Sequence, residues 1–183
     1  MESKGKMKEK YNKTFFDYKG KAVSFTSHEI ILPNGKKATR EYLVHPGATA
    51  VLPFINKDTV VLVNQYRYPV KEITLEVPAG KIDPGETPYN CVMRELKEET
   101  GFSAKKIVKL NTFWPTPAFA DEVLHVYAAF NLSKAKSSPD EDEFISCRTV
   151  PFKKLLEWIR IGKIKDSKTI IAALYWQCFG DKK

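Results

Sequence analysis

Alternating apolar and polar residues in the N-terminal region predict a β-hairpin. Residues 14–33 and 36–44 are rich in the β-branched and aromatic side chains that favour strands. They flank Asn34 and Gly35, a dipeptide that is a strong short-range signal for a hairpin turn. Residues 1–13 are polar and lysine-rich, so we expect them to form a frayed, flexible end.

The next segments predict a second hairpin and then a helix. Residues 47–55 and 58–70 are strand-like and are separated by Asn56 and Lys57, and residues 72–82 continue in an extended pattern. Apolar side chains then recur at i, i+3, i+4 and i+7. This spacing is one stripe of an amphipathic helix, and it comprises Tyr89, Val92, Met93 and Leu96.

The C-terminal half predicts three more strands and two more helices. The strand-like segments are residues 106–114, 122–132 and 144–150, and the helical ones are residues 151–162 and 167–180. An acidic segment, residues 137–143, precedes the last strand. No repeat or long linker divides the 183 residues, which suffice for one substantial domain with a small appendage.

Composition narrows the class of protein. No apolar run approaches the roughly 18 residues of a membrane span, and the basic N terminus lacks the apolar segment of a signal peptide. Cys91, Cys147 and Cys178 are odd in number and widely spaced. We therefore expect neither a disulfide framework nor a zinc site, and we expect a reduced, cytoplasmic setting.

The formal net charge of +8 says little about which molecules the protein binds. The lysines are scattered along the whole chain, which is typical of a solvated surface, although a field that attracts anionic substrates is an alternative interpretation. No basic run is interleaved with aromatic residues, so nucleic-acid binding is weakly supported.

The first predicted helix has well-defined ends. Thr87 is suited to the N-cap, Pro88 to the first helical position and Gly101 to a left-handed C-terminal cap. Upstream, residues 78–80 and 83–85 form tight turns. Glycine in each turn would let the backbone approach another group, such as a metal or a phosphate.

Glu95, Glu98 and Glu99 crowd the end of this helix, on the arc beside its apolar stripe. Carboxylates are unfavourable at the negative end of the helix dipole, and Glu95 and Glu99 are like-charged i, i+4 neighbours. A divalent cation would neutralise them, and all-oxygen ligands favour Mg²⁺ or Mn²⁺ over a structural zinc. The alternative is a solvated acidic face.

Residues 80–102 resemble the Nudix box. The box reads Gly, five residues, Glu, seven residues, Arg-Glu-hydrophobic, one residue, Glu-Glu, one residue, Gly-hydrophobic. Every fixed position is filled, by Gly80, Glu86, Arg94, Glu95, Leu96, Glu98, Glu99, Gly101 and Phe102. Nine specified positions rarely coincide by chance, and the order of the surrounding strands also agrees.

The resemblance implies an α+β fold, a Nudix-type α/β/α sandwich around a mixed sheet, and hydrolysis of a nucleoside diphosphate linked to another group. It also implies that Glu95, Glu99 and the carbonyl of Ala79 bind Mg²⁺, or Mn²⁺ in its place, and that Glu98 is catalytic. Arg94 would orient the glutamates through charge-assisted hydrogen bonds. A surface pairing of Arg94 with Glu98 is the alternative.

Outside the box, the chain resembles the ADP-ribose pyrophosphatase subgroup. Pro117 lies sixteen residues after Gly101, in the segment TPAFADE. This segment is similar to the subgroup pattern Ser-Pro-Gly-x-x-x-Glu, with Ala118 in place of the glycine and Glu122 at its end. We expect Pro117 and Glu122 to bind substrate, with a simple turn proline as the alternative.

Residues 64–70 and 75–81 also resemble the subgroup. The resemblance places Arg67 at the diphosphate or ribose, Glu76 near a ribose and Gly80 among the substrate-binding residues. Alternatively, Arg67 caps a strand end and pairs with an acid.

The resemblance extends to residues 1–45, which correspond to an added β-sheet, while residues 46–183 correspond to the Nudix hydrolase domain. In the subgroup the added sheet mediates a homodimer with exchanged strands, and Arg40 would reach the neighbouring site. Phe15, Phe16 and Tyr18 could stack on adenine, although core packing is the commoner use of such residues. We expect no nucleic-acid or membrane partner.

The acidic segment 137–143 is the candidate source of the catalytic base, because glutamates bound to metal are poor bases. The resemblance implies a glutamate from a mobile loop, which places Glu141 as the base and Glu143 near a metal. A shift of one residue would give the role to Asp140 or Asp142. A solvated acidic loop is the alternative.

The expected function is metal-dependent hydrolysis of ADP-ribose to AMP and ribose 5-phosphate. An alternative enzyme would cleave another nucleotide sugar, such as GDP-mannose, or a flavin or dinucleotide. A different class of alternative is a Nudix module that senses ADP-ribose without cleaving it. The full set of carboxylates argues against a pure sensor.

Overall fold

The computed structural model describes residues 7–21, 23–136 and 144–180. The strands of these residues are β1 Lys10–Lys19, β2 Ser24–Ile31, β3 Lys37–Val44, β4 Ala48–Asn56, β5 Thr59–Arg67, β6 Glu72–Glu76, β7 Ala79–Lys81, β8 Phe102–Phe113, β9 Leu124–Lys134 and β10 Ile145–Pro151. The helices are α1 Pro88–Thr100, α2 Phe152–Arg160 and α3 Ser167–Phe179.

The chain divides into two compact units. One comprises Met1–His45 with Trp114–Glu122, and the other comprises Pro46–Phe113 with Val123–Lys183. The first unit thus includes a segment from the β8–β9 connection, which the predicted boundary after residue 45 does not contain.

The first unit is built on an antiparallel sheet in the order β1-β2-β3. The hairpin predicted at Asn34-Gly35 is confirmed, and Gly35 has the positive φ of 82° that this turn requires. Strand β1 begins at Lys10, so the frayed end expected up to residue 13 is wrong from Lys10 onward. The physical reason is pairing with β2, in which Lys10 lies opposite Ile31.

The second unit contains a mixed sheet in the order β10-β5-β4-β9-β8, with β6 paired to β5 and β7 paired to β4. The β4–β9 pair is parallel and the other pairs are antiparallel. The second predicted hairpin, at Asn56 and Lys57, is confirmed as the β4–β5 connection. The predicted strands of the C-terminal half are also confirmed as β8, β9 and β10.

Helices cover both faces of this mixed sheet. Val51 on β4 packs with Val92 and Leu96 of α1, whereas its neighbour Leu52 packs with residues of α2 and α3. Successive side chains of a strand point to opposite faces, so α1 lies on one face and α2 and α3 lie on the other. The α+β class and the sandwich architecture are therefore confirmed.

The core explains why these helices form where they do. Leu155 on α2 and Ala172 and Ala173 on α3 are fully buried against the sheet, as the helical spacing of the C-terminal segments predicts. None of the helices in the described ranges is long and apolar enough to cross a membrane.

Candidate active site

Helix α1 has the ends that its sequence predicts. The Thr87 hydroxyl accepts a hydrogen bond from the backbone N–H of Asn90 at 3.2 Å, and Pro88 occupies the first turn. Gly101 adopts φ 68° in the left-handed region, and its N–H donates to the carbonyl of Lys97 at 2.9 Å. These caps fix which residues face the sheet.

Two carboxylates of α1 are buried. Glu95 is 8% exposed and Glu99 is 5% exposed, so the alternative of a solvated acidic face does not fit them. Glu98 is half-buried. Burial of anionic side chains is unfavourable unless a cation or hydrogen-bond donors compensate for the lost water.

Arg94 supplies much of that compensation. Its Nη1 donates to Glu95 Oε1 at 2.7 Å and to Glu98 Oε2 at 3.1 Å, and its Nε donates to Glu86 Oε1 at 3.1 Å. The hydrogen bond to Glu86, together with the charge of Glu95, raises the pKa of Arg94 above its ordinary value, so the guanidinium stays charged. The contact with Glu98 is one of several, so Arg94 is more than a surface partner of that residue.

Strand β7 lies directly against the buried carboxylates. The N–H of Ala79 donates to Glu99 Oε2 at 3.1 Å. A Cβ at Gly80 would lie 1.9 Å from Glu95 Oε1, so a larger residue here would displace the carboxylate from its present position.

The donor set is suited to a hard divalent cation. The predicted ligands, the carboxylates of Glu95 and Glu99 and the Ala79 carbonyl, are oxygen atoms, which Mg²⁺ and Mn²⁺ prefer. In the part of the chain that the structure describes, no three His, Cys, Asp or Glu side chains form a group that could hold a metal. Glu95 and Glu99 point instead to Arg94 and to the Ala79 N–H.

Cys91 lies beside this cluster but is chemically inert. Burial raises the pKa of its thiol to about 12, against a smaller opposing effect of its hydrogen bond with Thr49. The Sγ atom donates to the carbonyl of Lys81 at 3.3 Å. A protonated, buried thiol is neither a metal ligand nor a nucleophile near neutral pH.

A third buried carboxylate, Glu76 on β6, is 2% exposed. Arg67 binds it through two hydrogen bonds, Nε to Oε1 at 2.8 Å and Nη2 to Oε2 at 2.6 Å. Thr74 donates to Glu76 Oε1, and Lys168 on α3 donates to Oε2. The structure thus brings the predicted substrate residues Arg67 and Glu76 together. It also contains the pairing with an acid that was the alternative for Arg67.

Electrostatics fix the charge of Glu76. Burial alone would raise its pKa, but the hydrogen bonds from Arg67 and the charge of Lys168 outweigh burial and lower the pKa to about 2. Glu76 is therefore ionised in the folded protein at neutral pH.

The first unit contains three further predicted site residues. Arg40 on β3 is exposed and donates from Nε to Glu9 Oε2 at 3.0 Å. Pro117 lies in the turn that leads to Ala120, and Glu122 Oε1 lies 4.0 Å from His45 Nδ1. The proposed base Glu141 and the proposed metal residue Glu143 lie outside the described residues, as does the rest of the segment 137–143.

Comparison with known proteins covers most of the chain. The family model of the NUDIX domain matches residues 44–173, which is more than half of the sequence. The chain belongs to the Nudix family. The resemblance carried by residues 80–102 is thereby confirmed, and α1 is the Nudix helix.

Two relatives are each 40% identical to this Nudix chain. One, "ADP-ribose pyrophosphatase" of Bacillus subtilis (strain 168), matches over 162 residues, which cover 87% of this chain and 88% of the relative. The other, "Methanol dehydrogenase activator" of Bacillus methanolicus, matches over 171 residues, which cover 92% of each chain. A crystal structure of an "ADP compounds hydrolase" has a TM-score of 0.83 at 21% identity and covers 94% of both chains, which confirms the fold.

Sequence reasoning missed three residues near the Nudix site. They are Asp166, Lys168 and Thr169, at the start of α3. Lys168 donates to Glu76 of β6, Thr169 accepts from Val77 of the β6–β7 connection, and Asp166 caps the helix. Asp166 before a helical segment was a detectable N-cap signal. Nothing in the spacing identified the partners of the other two residues, because they lie about ninety residues earlier in the chain.

Glu76→Gln should destabilise the protein at neutral pH by about 3 kcal/mol, because it leaves Arg67 and Lys168 without their buried counter-charge. The pKa of Glu76 is lowered on folding, so its contribution is present above pH 4.5 and is lost as the pH falls toward 2. Urea denaturation of wild type and variant between pH 7 and pH 2 should therefore show curves that converge at low pH.

The matched control for Glu76→Gln is Glu72→Gln on the same strand. Glu72 pairs with Lys165, but both side chains are more than half exposed. Its loss should change the free energy of unfolding by no more than about 1 kcal/mol. Equal losses for the two variants would contradict the assignment of Glu76 as a buried, ionised partner.

Proposed function

We propose that this Nudix protein hydrolyses the diphosphate of ADP-ribose to AMP and ribose 5-phosphate in a metal-dependent reaction. The observation that carries the proposal is the buried pair Glu95 and Glu99, held against Ala79 and Gly80 in an intact Nudix helix. The proposal is further supported by 40% identity, over 87% of this chain, to a Bacillus subtilis protein named ADP-ribose pyrophosphatase.

The divalent ion, Mg²⁺ or Mn²⁺, would be held by Glu95, Glu99 and the carbonyl of Ala79, with Glu143 as a further ligand. When bound, such an ion screens the charge of the diphosphate and lowers the pKa of a coordinated water. The chain's own contribution is to align Glu95 and Glu99. Arg94 Nη1 donates to Glu95, and the Ala79 N–H donates to Glu99. Hydrogen bonds to Glu86 and Glu98 hold Arg94 in place.

The remaining roles divide between substrate binding and proton transfer. Arg67, which Glu76 holds in place through two hydrogen bonds, contacts the diphosphate or the ribose. Gly80, Pro117 and Glu122 belong to the substrate-binding set. Glu141 accepts the proton of the attacking water, with Glu98 as an additional acidic group near the reaction.

Glu99→Gln should lower the turnover number for ADP-ribose at least about a hundredfold, because a neutral amide is a poor ligand where negative charge is needed. AMP formation with saturating Mg²⁺ measures this. The control is Glu157→Gln, since Glu157 is an exposed glutamate on α2 that pairs only locally with Lys154. Near wild-type turnover of Glu99→Gln would contradict the metal site. GDP-mannose and dinucleotides in the same assay test the alternative substrates.

Glu141→Gln should lower the turnover number by roughly 10² to 10⁴, as expected for a lost general base. Affinity for ADP-ribose should change little, and the acidic limb of the pH–rate profile should flatten. Glu143→Gln is the matched variant two residues away. If Glu141→Gln keeps its activity and Glu143→Gln loses it, the base has been assigned to the wrong residue. If both variants stay active, the segment 137–143 is not catalytic.

A homodimer through the first unit is the proposed assembly. All residues of β1 are exposed, including Tyr11, Phe15, Phe16 and Tyr18. Four large aromatic side chains on one exposed strand are typical of an interface rather than of a free surface. A second copy of this chain, with exchanged strands, would cover them and bring Arg40 to the neighbouring site.

Sedimentation at low micromolar concentration should show a dimer, and Phe16→Glu should shift it toward the monomer by placing a charge in the interface. Phe179→Glu, at an equally exposed phenylalanine at the end of α3, is the control. A fully active monomer would contradict the assembly. An unchanged Michaelis constant for ADP-ribose in Arg40→Ala would contradict the role of Arg40.

A cytoplasmic location is proposed from the cysteines, all three of which are free thiols.

A second candidate function follows from the Bacillus methanolicus relative, named methanol dehydrogenase activator, which is equally identical and covers slightly more of the chain. Adding this protein to a methanol dehydrogenase assay tests it. Stimulation that survives Glu99→Gln would favour a function that does not depend on hydrolysis.

A further inference from the structure

Three consecutive residues, Val77 and Pro78 of the β6–β7 connection and Ala79 at the start of β7, are each held by a hydrogen bond to another element. The N–H of Val77 donates to Thr169 Oγ1 at 2.8 Å, and the carbonyl of Pro78 accepts from the N–H of Val51 at 2.9 Å. The N–H of Ala79 then donates to Glu99 Oε2 at 3.1 Å. A segment held at three consecutive residues has little freedom to shift, so its position is set by these three partners.

Thr169 is the only one of these three partners that lies on α3. Its hydroxyl accepts from Val77 and donates to Asp166 Oδ2 at 2.5 Å. Because its single proton is committed to Asp166, a lone pair remains directed at the Val77 N–H. Val77 and Thr169 are fully buried, so water cannot replace this bond.

Asp166 is itself fixed in place. Its Oδ2 also accepts from the backbone N–H of Thr169 at 2.9 Å, and its Oδ1 accepts from Lys168 Nζ at 2.8 Å. Lys168 in turn donates to Glu76. The start of α3 is therefore a rigid polar unit that contacts the last residue of β6 and the first residue of the β6–β7 connection.

Capping of α3 does not require the bond to Val77. The N-cap role of Asp166 is complete with its bond to the backbone N–H of Thr169. The additional hydroxyl bond contributes to the strand instead. It begins a continuous path from Thr169 through Val77 and Ala79 to Glu99, one of the proposed metal ligands.

We propose that Thr169, oriented by Asp166, is a positioning residue for the divalent-metal site. It fixes the backbone that carries the Ala79 carbonyl and, through the Ala79 N–H, the orientation of the Glu99 carboxylate. This inference rests on the metal site of the proposed function. Partners that orient metal ligands from outside typically contribute 10- to 100-fold to metal affinity, so an effect of this size is expected here.

The test is a titration of the free, full-length protein with Mn²⁺, followed by electron paramagnetic resonance, without substrate. Thr169→Val should raise the dissociation constant for Mn²⁺ about tenfold or more. Thr169→Ser keeps the hydroxyl and should restore affinity to within about twofold of wild type. The control is Ala173→Gly, which weakens the same helix at a buried position outside the network.

Thermal unfolding of every variant separates positioning from stability. The proposal is supported if Thr169→Val loses Mn²⁺ affinity while Ala173→Gly, at a similar loss of Tm, does not. It is overturned if Thr169→Val binds Mn²⁺ as wild type does, if both variants lose affinity equally, or if Thr169→Ser fails to restore it. Should Thr169→Val not fold, Thr169→Ala is judged by the same criteria.

The same titration distinguishes this inference from the proposed activity. Suppose that the wild type binds Mn²⁺ but does not hydrolyse ADP-ribose, and that Thr169→Val binds Mn²⁺ more weakly. The positioning role of Thr169 would then stand, and ADP-ribose would be rejected as the substrate. A wild-type protein that binds no Mn²⁺ would overturn the metal site and the role of Thr169 together.

Discussion

The close approach of Gly80 to the Glu95 carboxylate is the constraint on which the site depends. A Cβ at position 80 would overlap the Glu95 carboxylate, so the carboxylate can keep this position against β7 only beside a glycine. The approach brings the backbone of Ala79 within hydrogen-bond distance of Glu99, one turn further along the helix. The caps of α1 fix where the helix begins and ends, so they determine which face of the helix meets the strand.

Each buried carboxylate described in the second unit accepts hydrogen bonds from fixed protein donors. Arg94 serves Glu95, and Arg67 and Lys168 serve Glu76. The two clusters nevertheless behave differently. Both oxygens of Glu76 are engaged by Arg67, Lys168 and Thr74, so Glu76 needs no added cation. The carboxylates of α1 lie at the negative end of their helix and repel one another, which leaves them suited to an added cation.

Local signals predicted most of the fold, and long-range contacts account for what they missed. The helix ends at Thr87 and Gly101 and the hairpin turns were predictable, because caps and tight turns depend on residues only a few positions apart. Glu76 was predicted to be a site residue, but its partner Lys168 lies 92 residues away and leaves no pattern in the sequence. The early start of β1 at Lys10 likewise depends on pairing with β2, which overrides the polar composition of that segment.

The position of an acidic site in a basic protein follows from how electrostatic effects depend on distance. A diphosphate far from the protein experiences the net charge of +8, which favours its approach. Close to α1, it would be repelled by Glu95 and Glu99 unless cations intervened, since screening by water is weak around buried groups. Arg94 alone cannot reverse the sign of that region, because it already shares its charge among three glutamates. If the diphosphate binds beside α1 as proposed, a divalent cation bound with it would offset this repulsion, so we expect metal and substrate to bind cooperatively.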